Sequence, residues 1–166
     1  MLLYFHLQDI KIVYSSPFLR CLQTADIACK ALGIAGLHTH NHLCEFLHPG
    51  NRVTTSPEVP AMDDIKDIRV LTFDQVPLPN FPETNESVNT RYRNAVNELA
   101  DRHWPDNVLM VSHEICVRES YGWGGSNEEI EATYCGHVEL ERKEKGSQEW
   151  RVCSYQGVYK YDNIIG

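Results

Sequence analysis

Lys11-Ile12-Val13-Tyr14-Ser15-Ser16-Pro17-Phe18-Leu19-Arg20 carries a strand, a turn and the start of a helix in ten residues. Lys11 to Tyr14 is a short β-prone run. Ser16 is a good helix N-cap, and Pro17 suits the first helical position, where its missing N–H costs nothing. Phe18, Leu22, Ala25, Cys29 and Leu32 recur at spacings of four and three. That is one apolar stripe of a helix, and Gly33 closes it. Residues 11–33 are therefore predicted as strand, tight turn, helix. A second unit of the same kind lies downstream. Val88, Tyr92, Ala95, Val96 and Leu99 mark an amphipathic helix that stops before Pro105. Val108-Leu109-Met110-Val111 is a continuous apolar run, expected of a strand buried on both faces. Ser112-His113 ends it, and a short helix is predicted through Arg118.

Between the two units the chain changes character. Six of the eight prolines fall between Pro49 and Pro82, so residues 49–85 are expected to be a long loop or lid with little regular structure. Near the C-terminus Tyr134, Gly136, Val138 and Leu140 alternate with Cys135, His137, Glu139 and Glu141, which is strand periodicity with one polar face. Glu144-Lys145-Gly146-Ser147 reads as a turn, and Trp150 and Val152 resume a strand, giving an edge hairpin.

The chain has 166 residues, with 15 Lys plus Arg against 23 Asp plus Glu, a net charge of −8. That balance disfavours nucleic-acid partners, whose binding rests on phosphate neutralisation by Lys and Arg. It equally disfavours docking on anionic lipid. A hydrophobic fraction of 42% supplies an ordinary core. No apolar run approaches the roughly 18 residues of a membrane span. The six cysteines include no CxxC pair; they read as reduced thiols packed as small hydrophobes, in keeping with a cytoplasmic setting.

Arg20 is the first residue to ask for a chemical explanation. A helix N-terminus repels a cation and attracts anions through its free N–H groups. An Arg there beside Ser15 and Ser16 makes sense if a phosphate sits between them; otherwise it is a solvated surface Arg. If strands 11–14 and 108–111 lie parallel in one sheet, Arg20 and His113 face one cleft at the carboxyl edge, where α/β sheets bind ligands. His113 is then an acid, a base or a phosphate donor, or simply a hydrogen-bonded turn residue. His38, His40, His42 and Cys44 alternate as N/S ligands suited to zinc. On a flat strand they span too far to grip one ion, and the solvated face of a short strand is favoured over a metal site.

Val13 to Ala25 resembles the second signature of the histidine phosphatase (phosphoglycerate-mutase-like) superfamily. Leu109-Met110-Val111-Ser112-His113 resembles its last catalytic signature, and Leu43-Cys44-Glu45 is similar to the segment carrying its acid. Tyr134-Cys135-Gly136-His137-Val138-Glu139-Leu140 resembles a C-terminal strand of a plant-type branch. The resemblance covers most of residues 10–160 in the right order. It implies a single domain over 1–166, a three-layer α/β/α fold with a mostly parallel sheet and a C-terminal antiparallel edge hairpin. It also implies a phosphomonoesterase-type site without metal or cofactor. Arg20, with Ser16 beside it, becomes the phosphate clamp, His113 a second donor to the phosphoryl oxygens, and Glu45 the proton donor to the leaving oxygen.

The departures carry equal weight. The family's nucleophile is a histidine in an Arg-His-Gly motif, and the chain contains no such triplet. His6 cannot stand in for it, because only Leu7 to Ile10 separate it from strand 11–14 and a parallel crossover needs a dozen residues or more. The glycine expected after the second histidine is Glu114. The expectation is therefore a domain lacking its N-terminal strand and nucleophile, truncated or non-catalytic, inactive or severely impaired as it stands. It retains a site for a phosphorylated small molecule or a phosphate anion. The strand edge exposed beside residues 108–111 is expected to favour self-association. Two other readings stay open: a non-catalytic phosphate-ligand or protein-binding module, and a metal-binding protein using His38, His40, His42 and Cys44.

Overall fold

The computed structural model of the chain describes residues 9–48 and 62–160. His6 and Pro49 to Pro60 lie outside them. The chain divides into two compact units, one ending at Ser112 and the other beginning at His113.

The first unit is an α/β layer structure. Strand β1 (Ile10–Ser15) leads to helix α1 (Leu19–Leu32), strand β2 (Leu37–Thr39), strand β3 (Val70–Thr72), helix α2 (Asn85–Arg102) and strand β4 (Asn107–Val111). The sheet order is β3-β2-β1-β4, and every pairing is parallel. Pleating sends alternate residues to opposite faces. Val13, Leu109 and Val111 pack with Leu22, Ala25 and Cys29 of α1. Ile12, Tyr14, Val108 and Met110 pack with Ala95 and Leu99 of α2. The continuous apolar run of β4 thus serves both faces, and α1 and α2 form the two outer layers.

Two boundaries differ from the sequence reading. Helix α1 begins at Leu19 with Phe18 as its N-cap, and no side chain caps it. Ser16 is not the cap because its N–H still belongs to the sheet, donating to Val111 O at 2.8 Å. The chain turns helical only after Pro17, and Ser16 Oγ accepts from Phe18 N at 3.3 Å within that turn. At the other end Gly33 sits at φ 69°, and Ile34 N–H reaches back to Cys29 O at 2.9 Å. That is the left-handed closure its glycine anticipates. The second difference lies in the proline-rich stretch. Its described part holds β3, where Leu37 pairs with Val70 and His38 with Thr72. Three residues suffice because β3 is an outer strand bonded to β2.

The second unit contains helix α3 (Glu114–Gly122) and the strands β5 (Ile130–Glu141) and β6 (Arg151–Lys160). Helix α3 runs four residues past the Arg118 end expected. The hairpin is antiparallel, as read, but forms a two-stranded sheet of its own and is not an edge of the parallel sheet. Its turn is closed by Ser147 N donating to Glu144 O at 3.3 Å, with Gly146 at φ 80°. The alternation read from Tyr134 onward fails at its start. Ala132 pairs with Val158 but His137 with Gln156, so residues 133–136 bulge opposite Gly157. Cys135 takes φ 59° and Tyr134 stands fully in solvent. Gly136 and Gly157 face each other so closely that a Cβ on Gly136 would lie 2.7 Å from Gly157 O.

Leu22 is 1% exposed in the α1 cluster, whereas Ile27 on the same helix is 67% exposed. Leu22→Ala is expected to lower stability by about 2–5 kcal/mol through lost burial and the cavity left behind. Ile27→Ala should stay within about 0.5 kcal/mol. Urea unfolding followed by circular dichroism measures both.

Candidate phosphate site at the carboxyl edge

The carboxyl ends of β1 and β2 are tied by His40 N donating to Ser15 O at 2.9 Å. Beyond β2 the chain makes one 3₁₀ turn (Asn41–Leu43) and then extends through Cys44. Leu43, Cys44 and Leu47 are fully buried and anchor this segment. Its carbonyls are gripped from outside. Arg91 of α2 donates through Nη1 to His42 O at 2.7 Å and Cys44 O at 3.0 Å, and through Nη2 to Glu45 O at 3.2 Å. Tyr92 OH donates to Cys44 O at 2.8 Å and Ser112 Oγ to Leu43 O at 2.7 Å. Arg91 completes a two-pronged pair with Glu83, Nε to Oε1 and Nη2 to Oε2, each at 2.7 Å. Glu83 returns to the same segment: its Oε2 accepts from Leu47 N at 3.0 Å, and its own N–H donates to Leu47 O at 2.8 Å. Burial works against the Arg91 charge, yet the hydrogen bonds to Glu83 hold its pKa above the ordinary arginine value.

This frame presents Glu45. Its Oε1 accepts from Phe46 N at 3.1 Å, and its Oε2 accepts from Arg20 Nη2 at 2.9 Å. Arg20 is the second residue of α1, so it keeps its place in the first turn although the helix starts later than read. Its guanidinium lies 5.0 Å from the centre of the Phe18 ring, and more than half of its side chain is in solvent. Ser16 is wholly buried beneath. The Cys21 thiol beside them contacts Ser112 O at 3.4 Å, and burial pushes its pKa up to about 11. Burial likewise pushes Cys44 up to about 12.

Of the residues read from sequence, the structure joins Arg20 to Glu45 and sets Ser16 in the turn leading to them. His113 opens the second unit. It is the buried N-cap residue of α3, with its carbonyl accepting from Val117 N at 3.2 Å and no hydrogen bond from its side chain to the helix end. Glu114, where the family pattern has glycine, is the first residue of α3, a position that favours a carboxylate.

The histidine run does not form a solvated strand face. The strand ends at Thr39, so His40 and Cys44 turn inward and are buried. His38 Nδ1 lies 2.7 Å from Thr72 Oγ1. His40 has neither ring nitrogen hydrogen-bonded; Asp74 and Glu98 each stand 3.8 Å away. Burial lowers its pKa despite both carboxylates. Among the described residues no group of three or more His, Cys, Asp or Glu side chains is placed to hold a metal ion.

Sequence reading missed Arg91 and Glu83. A signal existed: Arg91 stands three residues after Val88 and four before Ala95, on the apolar stripe of its helix, where an arginine must find a partner.

The arginine at the start of α1 and the carboxylate facing it lie at the carboxyl edge of an open parallel sheet, where α/β folds bind ligands. Residues 3–154 match the model of the histidine phosphatase superfamily (branch 1), and the chain belongs to that superfamily. No curated protein matches the chain.

Two expectations follow from this geometry. Arg91→Ala leaves the Glu83 carboxylate buried without its partner and is expected to cost about 3–5 kcal/mol in a urea melt. Arg91→Met with Glu83→Leu should cost less than Arg91→Ala. Six cysteines are free, of which Cys135 and Cys153 are exposed. In native protein at pH 7.5, iodoacetamide should label those two and spare Cys21 and Cys44, whose thiols stay protonated and covered. Peptide mass spectrometry checks this against a denatured control in which all six react.

Proposed function

We propose that the chain binds the phosphoryl group of a phosphomonoester, or a free phosphate anion, at the carboxyl edge of the parallel sheet. The observation that carries this reading is the exposed Arg20 guanidinium in the first turn of α1, 2.9 Å from Glu45, in a member of the histidine phosphatase superfamily. Arg20 is the clamp, since its planar fork matches two phosphoryl oxygens. Ser16 lies in the turn that sets its position. Glu45 is the proton donor to a leaving oxygen, and His113, matched to the family's second histidine by sequence, donates to the phosphoryl group. The 166 residues hold no Arg-His-Gly triplet. The covalent step therefore lacks the family's phosphate acceptor among them, and we read these residues as binding without turnover.

Phosphate or vanadate at millimolar concentration should raise the melting temperature of the wild type. Saturation a hundredfold above the dissociation constant is worth about 2.7 kcal/mol by linkage. Arg20→Ala should remove the shift; no shift in the wild type would refute the clamp. With p-nitrophenyl phosphate we expect neither a burst nor a phosphohistidine. Turnover that survives stringent purification and disappears in His113→Ala would overturn binding without turnover.

A further inference from the structure

We propose that His40 is a proton-operated latch: its neutral ring lets residues 74–76 stay stitched to the start of the Glu45-bearing segment, and a proton taken up by that ring in mild acid releases them. The latch does not depend on the phosphate reading, since it concerns how the segment is held and not what it binds.

His40 follows strand β2 and is 2% exposed. Among the described residues neither of its ring nitrogens has a hydrogen-bond partner. A neutral imidazole has one N–H donor and one acceptor, and leaving both unmet in a buried place costs stability. An apolar side chain would avoid that cost, so the ring asks for a chemical reason to be there. Acid faces it on both sides. Nδ1 lies 3.8 Å from Asp74 Oδ2, and Nε2 lies 3.8 Å from Glu98 Oε2, both beyond hydrogen-bond reach. The His42 ring of the 3₁₀ turn is 5.8 Å away and the Tyr14 ring of β1 6.4 Å. Arg102 of α2 adds a positive charge nearby and is hydrogen-bonded to Glu98. His38 of β2 and His103 contact Tyr14, 5.2 and 5.5 Å from its ring.

Asp74 is the moving part. Its Oδ2 accepts from Asn41 N at 2.7 Å and its Oδ1 from Val76 N at 3.0 Å. Its own N–H donates to Thr39 Oγ1 at 2.8 Å, and Asn41 Nδ2 donates to Val76 O at 2.6 Å. These bonds stitch residues 74–76 to residues 39–41, from which the chain runs on to Glu45. Protonation makes both ring nitrogens donors and places a charge in a buried site. A charge-assisted bond wants about 2.8 Å, so the Asp74 carboxylate must shift about 1 Å while Asn41 N holds its Oδ2, or the ring must leave for water. The ring belongs to the residue between Thr39 and Asn41, so either movement works the stitch loose. Glu98 is half in solvent and free to follow the ring. Burial outweighs both carboxylates and holds the His40 pKa below the ordinary imidazole value of 6.5. The closed latch therefore binds a proton less tightly than the open one. As pH falls through 6.5 protons collect on the open form, and the closed form loses ground until its own lower pKa is passed.

Amide hydrogen exchange followed by NMR tests this. Between pH 7.5 and 5.5 the protection factors of Asn41, Asp74 and Val76 should fall about three- to tenfold in the wild type, the upper limit being set by one proton and an open-form pKa of 6.5. They should lie below those of Leu22 and Ala25 in α1, as a local opening requires. In His40→Gln, whose side chain does not titrate, the three should change by less than about twofold. Unchanged protection in the wild type, an equal acid loss in His40→Gln, or protection equal to that of Leu22 and Ala25 overturns the latch. Should His40→Gln fail to fold, the pH titration of the His40 ring shifts in the wild type takes its place. A midpoint below 6.5 supports the latch, and one at or above 6.5 overturns it.

Discussion

The ion pair between Arg91 and Glu83 is the constraint on which the site depends. Both side chains are buried, 6% and 5% exposed, and burying two charges is costly unless their remaining hydrogen-bonding capacity is met. Here it is met on the arginine side without remainder. A guanidinium has five N–H donors, and Arg91 spends two on Glu83 and three on the carbonyls of His42, Cys44 and Glu45. Glu83 in turn closes on both polar backbone groups of Leu47. Helix α2 therefore holds the segment after β2 by its main chain, and the outer layer of the fold becomes the mount of the site.

The two arginines of the site do opposite jobs, and their surroundings explain why. Arg91 is enclosed, fully satisfied and permanently engaged. Arg20 is more than half in solvent, pairs with the Glu45 carboxylate and lies over the Phe18 ring. A surface ion pair of that type is worth only about 0–1 kcal/mol. Glu114 fits its place for a related reason. At the first residue of α3 its charge is favoured by the helix end, and Arg118 one turn on lies 4.0 Å away.

The sequence displayed the parallel sheet well because β1, α1, α2 and β4 each carry their signal locally. The stripes of Leu22, Ala25 and Cys29 and of Val88, Tyr92 and Ala95 have a period that only a helix satisfies. Val108 to Val111 has no period because it packs both ways. The features it hid are settled by distant partners. Ser16 has every property of an N-cap, yet a hydrogen bond to Val111, far along the chain, keeps it in the sheet. Val70 to Thr72 is too short to declare itself and becomes a strand only beside Leu37 and His38. The alternation at Tyr134 breaks because Gly157 on the opposite strand makes room for a bulge. In the site, Arg20 and Glu45 were legible as types within motifs. Their direct pairing, and the Arg91 clamp behind it, depend on three elements meeting.

Arg91 and its helpers address carbonyl oxygens, which every amino acid possesses. Glu45 is therefore displayed by a socket that does not read what it displays. A different side chain at that position would inherit the same backbone hydrogen bond from Arg91 and the same seat opposite Arg20. The fold thus separates the mutational risk of changing the site's chemistry from the risk of unfolding. Positions 83 and 91 carry the opposite risk: changing either alone leaves a buried charge without its partner.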